Sequence, residues 1–217
     1  MEELTVDPFR AARLVLRLRQ DGVTDDGVLR AMETVDRGAF VEAADLKALA
    51  FADCALPIPC GQVIPRPTVT GHLLQALDLG RHRDQRVLVV GMGSGYTAAL
   101  IGRLAADVFG VERYDRLTDH ARQRIVALGL DNIAVRHGDG ALGWPERGPY
   151  DRILLTGRVP AVPDGLFAQL APEGFIIAPM QLEGQARIAR STADGTTTWL
   201  GAAGLLPPLS EGRSATL

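Results

Sequence analysis

The run from Gly91 to Gly95 contains the residue types best suited to chemistry in this sequence. Gly91-Met92-Gly93-Ser94-Gly95 follows a short apolar run and precedes a helical pattern. A strand, a glycine loop and a helix in this order present main-chain N–H groups to a ligand, and glycines let that ligand approach without a Cβ in the way. Tyr96 stands where another glycine would complete the dinucleotide pattern, which disfavours the pyrophosphate site of a nicotinamide enzyme. By itself, this loop is equally compatible with an ordinary tight turn.

Two acidic positions follow the next predicted strands. Glu112 ends the second strand, about 20 residues beyond the loop, where a carboxylate can accept hydrogen bonds from ribose hydroxyls. Asp139 and Gly140, in Gly138-Asp139-Gly140, follow the third strand, where they could face an adenine. Glu112 alone could equally be a surface carboxylate at a strand end. The loop and both acidic positions together predict a nucleoside pocket at the carboxyl ends of parallel strands.

The elements that position these residues alternate between strands and helices. Each strand is apolar on both faces, which predicts an α/β fold with a mostly parallel sheet covered by helices on both faces. A hairpin over 186–190 and 196–199, around Ala193-Asp194-Gly195, predicts an antiparallel sheet edge. The predicted strands are 86–90, 108–111, 133–135, 153–155 and 175–178, and the predicted helices are 98–104, 114–128 and 165–170.

The first part of the chain predicts a helical extension and an irregular segment. One helix is expected from Pro8 to about Gln20 with Asp7 as its N-cap, and a second is capped by Thr24-Asp25-Asp26. Residues 40–67 contain too many prolines and glycines for a long regular element, and such stretches are usually functional or disordered. The chain is therefore predicted to form a single domain, in which residues 1–70 provide helices and a substrate-side loop and residues 71–217 form the α/β core.

Composition narrows the classes of partner and location. The net charge of -3 over 217 residues gives no reason to expect a nucleic-acid or anionic-membrane partner. No stretch approaches the roughly 20 apolar residues of a membrane span, and the N-terminus lacks a signal pattern, so a cytoplasmic location is expected. Cys54 and Cys60 are expected to be reduced thiols, and the four scattered histidines predict no metal site. The sequence predicts no oligomeric state.

Four segments together resemble a known family. They are Ala52-Asp53-Cys54-Ala55-Leu56-Pro57-Ile58, Gly61-Gln62-Val63-Ile64-Pro65-Arg66-Pro67, the run from Val87 through Tyr96, and Gly138-Asp139-Gly140 with Tyr150-Asp151. These motifs resemble those of protein-L-isoaspartate O-methyltransferases over most of the chain. The resemblance implies a Rossmann-like methyltransferase fold that uses S-adenosyl-L-methionine and releases S-adenosyl-L-homocysteine. It also implies methylation of the α-carboxylate of isoaspartyl residues in proteins or peptides, which is a repair of damaged protein.

Two departures fall on positions to which the resemblance gives a function. The family's Thr-Ile-Ser is Val63-Ile64-Pro65 here, and neither Val63 nor Pro65 has a side-chain donor. By analogy with oxyanion donors, such a loss could cost on the order of 10²–10³ in rate. The acidic residue that the family usually has before the glycine loop is Val89, so weaker cofactor binding is expected.

Arg66 and Asp53 are the candidate catalytic residues that could compensate for the lost hydroxyls. Arg66 follows the lost hydroxyl and could pair with a substrate carboxylate, or it could be a solvated loop cation. Asp53 lies in an otherwise apolar segment where an unpaired carboxylate would be costly, or it could cap the loop.

Three functions remain open from the sequence. The first is an active isoaspartyl carboxyl methyltransferase. The second is an impaired or repurposed homologue that binds S-adenosyl-L-methionine or its product but has another methyl acceptor or a binding role. The third is a nicotinamide-dependent oxidoreductase, which Tyr96 and the lack of a second substrate domain disfavour.

Overall fold

The computed structural model describes residues 9–79 and 83–214, and the N-terminal part of that chain is mainly helical. The Asp25 carboxylate accepts a hydrogen bond from the Val28 N–H at 2.9 Å, which confirms the predicted cap of the second helix. The first helix begins at Arg10, while the predicted Asp7 cap and Pro8 lie outside the described residues. The elements are α1 Arg10–Gln20, α2 Asp26–Thr34, a 3-10 helix Arg37–Phe40, α3 Ala44–Ala48, β1 Leu56–Ile58, β2 Gln62–Ile64 and α4 Pro67–Ala76.

A seven-stranded sheet with the order β5-β4-β3-β6-β7-β8-β9 forms the α/β core. The first five of these strands are parallel, and β8 and β9 continue the sheet in antiparallel pairing. The predicted mostly parallel sheet and its antiparallel edge hairpin are therefore confirmed. The elements are β3 Arg86–Val90, α5 Tyr96–Gly102, β4 Asp107–Glu112, α6 Asp115–Ala127, β5 Ile133–His137, β6 Tyr150–Leu155, α7 Asp164–Phe167, β7 Leu170–Leu182, β8 Gln185–Thr192 and β9 Thr197–Ala202.

Apolar residues of β3 alternate between the two faces of the sheet. Val87 and Val89 pack into the core formed with the N-terminal helices, α5 and α6, whereas Leu88 and Val90 pack against Leu166 of α7 and other residues on the opposite face. Both faces are therefore buried, as the near-continuous apolar strands predict.

The helix predicted over 165–170 is shorter in the structure. It ends at Phe167, and β7 begins at Leu170. The backbone at Glu173 has φ of 64°, and the pairing with β6 shifts register between Tyr150 and Arg152. This irregularity lets β7 extend upstream of its continuous apolar run, so the strand is longer than hydrophobicity alone indicates.

The segment over 40–67 contains no long regular element, as predicted, but it includes the hairpin of β1 and β2. Cys60 and Gly61 turn the hairpin with φ of 62° and 65°. Pro67 begins α4 at its first turn, where a missing N–H costs nothing. Helix α4 runs through residue 70, the predicted boundary between the N-terminal part and the α/β core. That boundary stays a prediction.

Candidate active site

One cavity lies at the carboxyl ends of β3, β4 and β6. Its lining includes the glycine loop, the residues after β4, and the hairpin strand β2 with Pro65. The lining comprises residues 62–65, 91–94, 96–97, 111–114, 140, 156–157 and 207–210. The predicted nucleoside loop and the family's substrate-side motif therefore face the same space.

The glycine loop takes backbone conformations that other residues rarely adopt. Gly91, Gly93 and Gly95 have φ of 81°, 56° and 92°. A Cβ at Gly91 would lie 2.8 Å from the Thr156 Oγ1 atom and 2.9 Å from the Leu209 Cδ1 atom. The loop can keep this shape beside the cavity only with glycine at position 91.

Glu112 joins the end of β4 to the glycine loop. Its carboxylate is 4% exposed and accepts hydrogen bonds from the Gly93 N–H at 2.7 Å and the Tyr114 N–H at 3.0 Å. Burial raises the pKa of Glu112 above its ordinary value, although these donors act in the opposite direction. The result is a buried acidic group that lines the cavity and also fixes the loop.

Six of the eight residues predicted to bind the cofactor line the cavity, namely Gly91, Met92, Gly93, Ser94, Glu112 and Gly140. The lining does not include Gly95 or Asp139. A Cβ at Gly95 would lie 3.2 Å from the Ala121 Cβ, so this glycine lets the loop approach α6 closely. The Asp139 carboxylate accepts a hydrogen bond from the Ala141 N–H at 2.9 Å and thereby caps a 3-10 turn. The cofactor roles of all eight residues stay predictions.

Asp53 and Arg66 are paired with each other at the start of α4. An Arg66 Nη atom lies 2.6 Å from Asp53 Oδ2, and Asp53 Oδ1 accepts a hydrogen bond from the Thr68 N–H at 2.9 Å. The cavity lining includes Val63 and Pro65 but neither Asp53 nor Arg66. Their assignment to catalysis stays a prediction. Because Arg66 immediately precedes α4 and Asp53 binds the Thr68 N–H, the pair holds the main chain at the start of this helix.

The C-terminal segment of the described chain is the part of the site that the sequence did not predict. Pro207 to Ser210 line the cavity, and two hydrogen bonds hold them there: Arg158 N–H to the Pro207 carbonyl at 2.9 Å and Leu209 N–H to the Arg158 carbonyl at 2.8 Å. The pair Pro207-Pro208 was the available signal, since prolines rule out a helix there, but it does not say where the segment packs.

Thr156 is a second site residue that the sequence did not predict. Its hydroxyl donates to the Val90 carbonyl at 3.1 Å and also to the Gly91 carbonyl. It therefore ties the end of β6 to the glycine loop. A polar residue directly after the predicted strand 153–155 was the signal that could have identified it.

The sequence also predicts no metal site, no membrane-spanning helix and two reduced thiols. Over residues 9–79 and 83–214, no three His, Cys, Asp or Glu side chains are grouped to hold a metal. Within the same ranges, no helix is long and apolar enough to span a membrane. Cys54 and Cys60, both within these ranges, are not joined by a disulfide.

The family model described as protein-L-isoaspartate(D-aspartate) O-methyltransferase matches residues 10–199, which is most of the chain. The chain belongs to this family. Membership of the protein-L-isoaspartate O-methyltransferase family leaves the nicotinamide-dependent oxidoreductase without support.

Relatives named protein-L-isoaspartate O-methyltransferase resemble the chain over most of their length. The Rhodospirillum rubrum protein is 44% identical over 197 residues, which cover 88% of each chain. The Xanthobacter autotrophicus protein is 43% identical over 207 residues, which cover 94% of this chain and 93% of the relative.

Solved structures of proteins with the same name share the fold. One aligns with a TM-score of 0.81 at 24% identity and covers 92% of this chain and 66% of its own. A second, from Plasmodium falciparum in complex with S-adenosyl-L-homocysteine, aligns with a TM-score of 0.78 at 22% identity over 91% of this chain and 97% of its own. These alignments confirm the predicted methyltransferase-type α/β fold.

Proposed function

We propose that this family member transfers a methyl group from S-adenosyl-L-methionine to the α-carboxylate of L-isoaspartyl residues in damaged proteins. The observation that carries the proposal is the shared cavity, which both the glycine loop and residues 62–65 line. A methyl donor held by one wall would be directly accessible to an acceptor held by the other. The extensive identity with relatives of this name supports the same substrate class.

The residues of the cavity fit the proposed cofactor. Gly91, Gly93 and Gly95 all have positive φ, and the loop they form lines the cavity with main chain that carries no Cβ at Gly91 and Gly93. A carboxylate has about four acceptor positions, so Glu112 can bind ribose hydroxyls while it still accepts the Gly93 and Tyr114 N–H groups. We assign Gly91 to Gly95 to the methionine side, Glu112 to the ribose, and Asp139 with Gly140 to the adenine.

Val89 is expected to change how tightly the protein binds its cofactor and not which cofactor it binds. It is fully buried in the core beneath the loop, where the family usually has an acidic residue. An apolar side chain cannot accept a hydrogen bond from the cofactor's ammonium group. We therefore expect weaker cofactor binding than in relatives that retain the acid.

When bound, S-adenosyl-L-methionine supplies an electrophilic methyl group on a sulfonium. The acceptor carboxylate is ionised at neutral pH, so the protein needs no general base and acts by alignment and desolvation. Pro65 and the Pro207–Ser210 segment both line the cavity and contribute proline rings to its surface. Tyr96 also lines it, and burial raises the pKa of its phenol, so this side chain stays uncharged there.

A repair assay tests this proposal. Methylation of the α-carboxylate makes methanol the leaving group when the succinimide closes, and hydrolysis of the succinimide yields some normal aspartyl peptide. We expect chromatography to show that an isoaspartyl peptide is converted to its aspartyl isomer when the protein and S-adenosyl-L-methionine are present. No conversion above the rate without protein would exclude the repair function.

A repurposed homologue is the second candidate. The specific observation in its favour is that Val63 and Pro65, both in the cavity lining, have no side-chain hydrogen-bond donor. Calorimetry with S-adenosyl-L-homocysteine distinguishes the two candidates when it is combined with the repair assay. Tight binding without any conversion of the peptide would favour the second.

A further inference from the structure

Arg37 is buried behind the cavity and has no carboxylate within ion-pair distance in the described parts of the chain. It lies in the 3-10 helix that follows α2 and is 1% exposed. The two Nη groups instead lie within hydrogen-bond distance of five main-chain carbonyls: Cys54 at 2.7 Å, Pro65 at 2.8 Å, Ala50 at 3.3 Å, and Ala52 and Ile64 at 3.4 Å. Nη2 shares its two N–H groups among the carbonyls of Cys54, Ile64 and Pro65. Burying an arginine charge is costly, and apolar side chains usually fill such space at lower cost. This arrangement therefore calls for an explanation other than packing.

The five carbonyls lie on both sides of one hairpin. Ala50, Ala52 and Cys54 precede β1, whereas Ile64 and Pro65 end β2 and follow it. A single guanidinium therefore ties together the two ends of the hairpin. Because Ile64 and Pro65 line the cavity, it does so from directly behind the acceptor-side wall.

Arg37 also lies close to the donor side. Phe40 belongs to the same 3-10 helix as Arg37 and packs edge-on against the Tyr96 ring, with the two ring centroids 5.4 Å apart. Tyr96 begins α5 immediately after Gly95 and is itself in the cavity lining. The 3-10 helix that carries Arg37 therefore contacts the helix that continues from the glycine loop, while the Arg37 guanidinium holds the main chain of the acceptor wall.

We propose that Arg37 is a positioning residue that holds the main chain of Ile64 and Pro65 at the separation from the glycine loop that methyl transfer requires. This inference rests on the proposed function. Since Val63 and Pro65 provide no hydroxyl, the placement of the main chain determines more of the alignment than it would in a wall with side-chain donors. A misplacement of about 1 Å in such a site can lower a rate on the order of 10²-fold.

Arg37→Lys and Arg37→Met test this role, with Arg187→Lys as the control. Lysine keeps the charge but replaces two Nη groups with one ammonium, so it can retain the Nη2 contacts to Cys54 and Pro65 only by giving up the Nη1 contacts to Ala50 and Ala52. Methionine removes all of these contacts. Arg187 also binds a carbonyl, that of Leu200 at 2.9 and 3.2 Å, but at the β8–β9 edge. Each variant is measured for hydrogen exchange over residues 54–66, for binding of S-adenosyl-L-homocysteine, and for KM and kcat with an isoaspartyl peptide.

We expect Arg37→Met to bind S-adenosyl-L-homocysteine within about threefold of wild type and to lose on the order of tenfold or more in kcat/KM for the peptide. Hydrogen exchange over 54–66 should accelerate by a similar factor, and Arg37→Lys, which can keep one set of contacts, should show smaller changes than Arg37→Met. Arg187→Lys should change neither the hydrogen exchange over 54–66 nor kcat/KM for the peptide. A purely structural role would reduce peptide turnover and nucleoside binding together, whereas a positioning role reduces peptide turnover much more than nucleoside binding.

Two results would overturn the inference. One is an Arg37→Met protein with unchanged hydrogen exchange over 54–66 and unchanged peptide kinetics. The other is an equal loss of nucleoside affinity and peptide turnover, which indicates general destabilisation. If wild type itself does not methylate the peptide, the proposed function fails, and the exchange data alone then decide whether Arg37 fixes the wall.

Discussion

The Glu112 carboxylate accepts a hydrogen bond of 2.7 Å from the main-chain N–H of Gly93. This contact links the two parts of the predicted nucleoside pocket, the glycine loop and the acidic strand end. The carboxylate that we assign to ribose binding therefore also sets the shape of the loop. Replacing it should affect the affinity for nucleoside more than replacing an exposed acid.

Glu112→Gln should weaken the binding of S-adenosyl-L-homocysteine by about 10- to 100-fold, because hydrogen bonds to a charged group contribute about 1.5–3 kcal/mol. Glu146→Gln is the control, since Glu146 is a surface residue that pairs with Arg136 outside the cavity. Isothermal calorimetry measures both. Equal affinities of the two variants for S-adenosyl-L-homocysteine would show that Glu112 does not contribute to nucleoside binding.

Gly91→Ala should destabilise the protein and abolish or strongly weaken nucleoside binding. Gly91 and Gly195 have nearly the same φ, 81° and 83°, but a Cβ at Gly195 would have no atom within 4 Å. Gly195→Ala should therefore cost about 1–2 kcal/mol from backbone strain alone. Gly91→Ala should cost about 1–3 kcal/mol more, because its Cβ would crowd Thr156 and Leu209.

Urea unfolding and calorimetry separate these effects. We expect Gly195→Ala to bind S-adenosyl-L-homocysteine like wild type and Gly91→Ala to bind it at least about tenfold more weakly. If the two variants lose equal stability and both keep full affinity, the packing of Gly91 against Thr156 and Leu209 does not shape the nucleoside pocket.

The double variant Val63→Thr, Pro65→Ser should increase methyl transfer to an isoaspartyl peptide. It restores two hydroxyl donors in the cavity wall and a main-chain N–H at position 65. By comparison with oxyanion donors, the gain could reach on the order of 10²-fold in kcat. Steady-state kinetics with Thr68→Ser as a matched hydroxyl control measure it, and unchanged kcat for the double variant would show that these positions do not limit the reaction.

Asp53→Asn should reduce stability at neutral pH and have little effect in acid. Burial raises the pKa of Asp53, but hydrogen bonds from Thr68 and Arg66 outweigh it, and the net pKa is lowered. A carboxyl with a lowered folded-state pKa stabilises the fold above its unfolded pKa, about 3.9, and this contribution is lost as the pH falls through the folded-state pKa.

Loss of this capping carboxylate should cost about 1–2 kcal/mol at neutral pH. Asp119→Asn, which breaks an exposed pair with Arg122, should change stability by less than about 0.5 kcal/mol. The measurement is urea unfolding across the acidic range. A stability difference for Asp53→Asn that persists below the folded-state pKa would contradict the assignment to this titration.

The core of the fold follows from periodicity in the sequence. Apolar runs such as Val87 to Val90 are buried on both faces, and such runs predict parallel strands directly. The sequence did not predict α4, because Pro67 follows a segment rich in proline and glycine, and a proline indicates a helix only when its position in the first turn is known. Local patterns identify an element more readily than the residue at which it begins.

The site was predicted where local sequence determines it and missed where distant segments meet. The turn at Gly91 to Gly95 depends on its own residues, so the loop was predictable. Arg37 and Leu209 belong to the site because of contacts with segments far away in the chain, and neither lies in a motif that specifies those contacts. Such residues are identified by the packed structure and not by spacing.

The most direct measurement is transfer of labelled methyl from S-adenosyl-L-methionine to a matched pair of peptides that differ only in one isoaspartyl or aspartyl residue. Wild type is compared with Gly93→Val, since a side chain at φ of 56° in this loop should strain the pocket. We predict label in the isoaspartyl peptide only, and with wild type only. Equal labelling of both peptides, or no labelling above Gly93→Val by a protein that still binds S-adenosyl-L-homocysteine, would contradict isoaspartyl repair as the function.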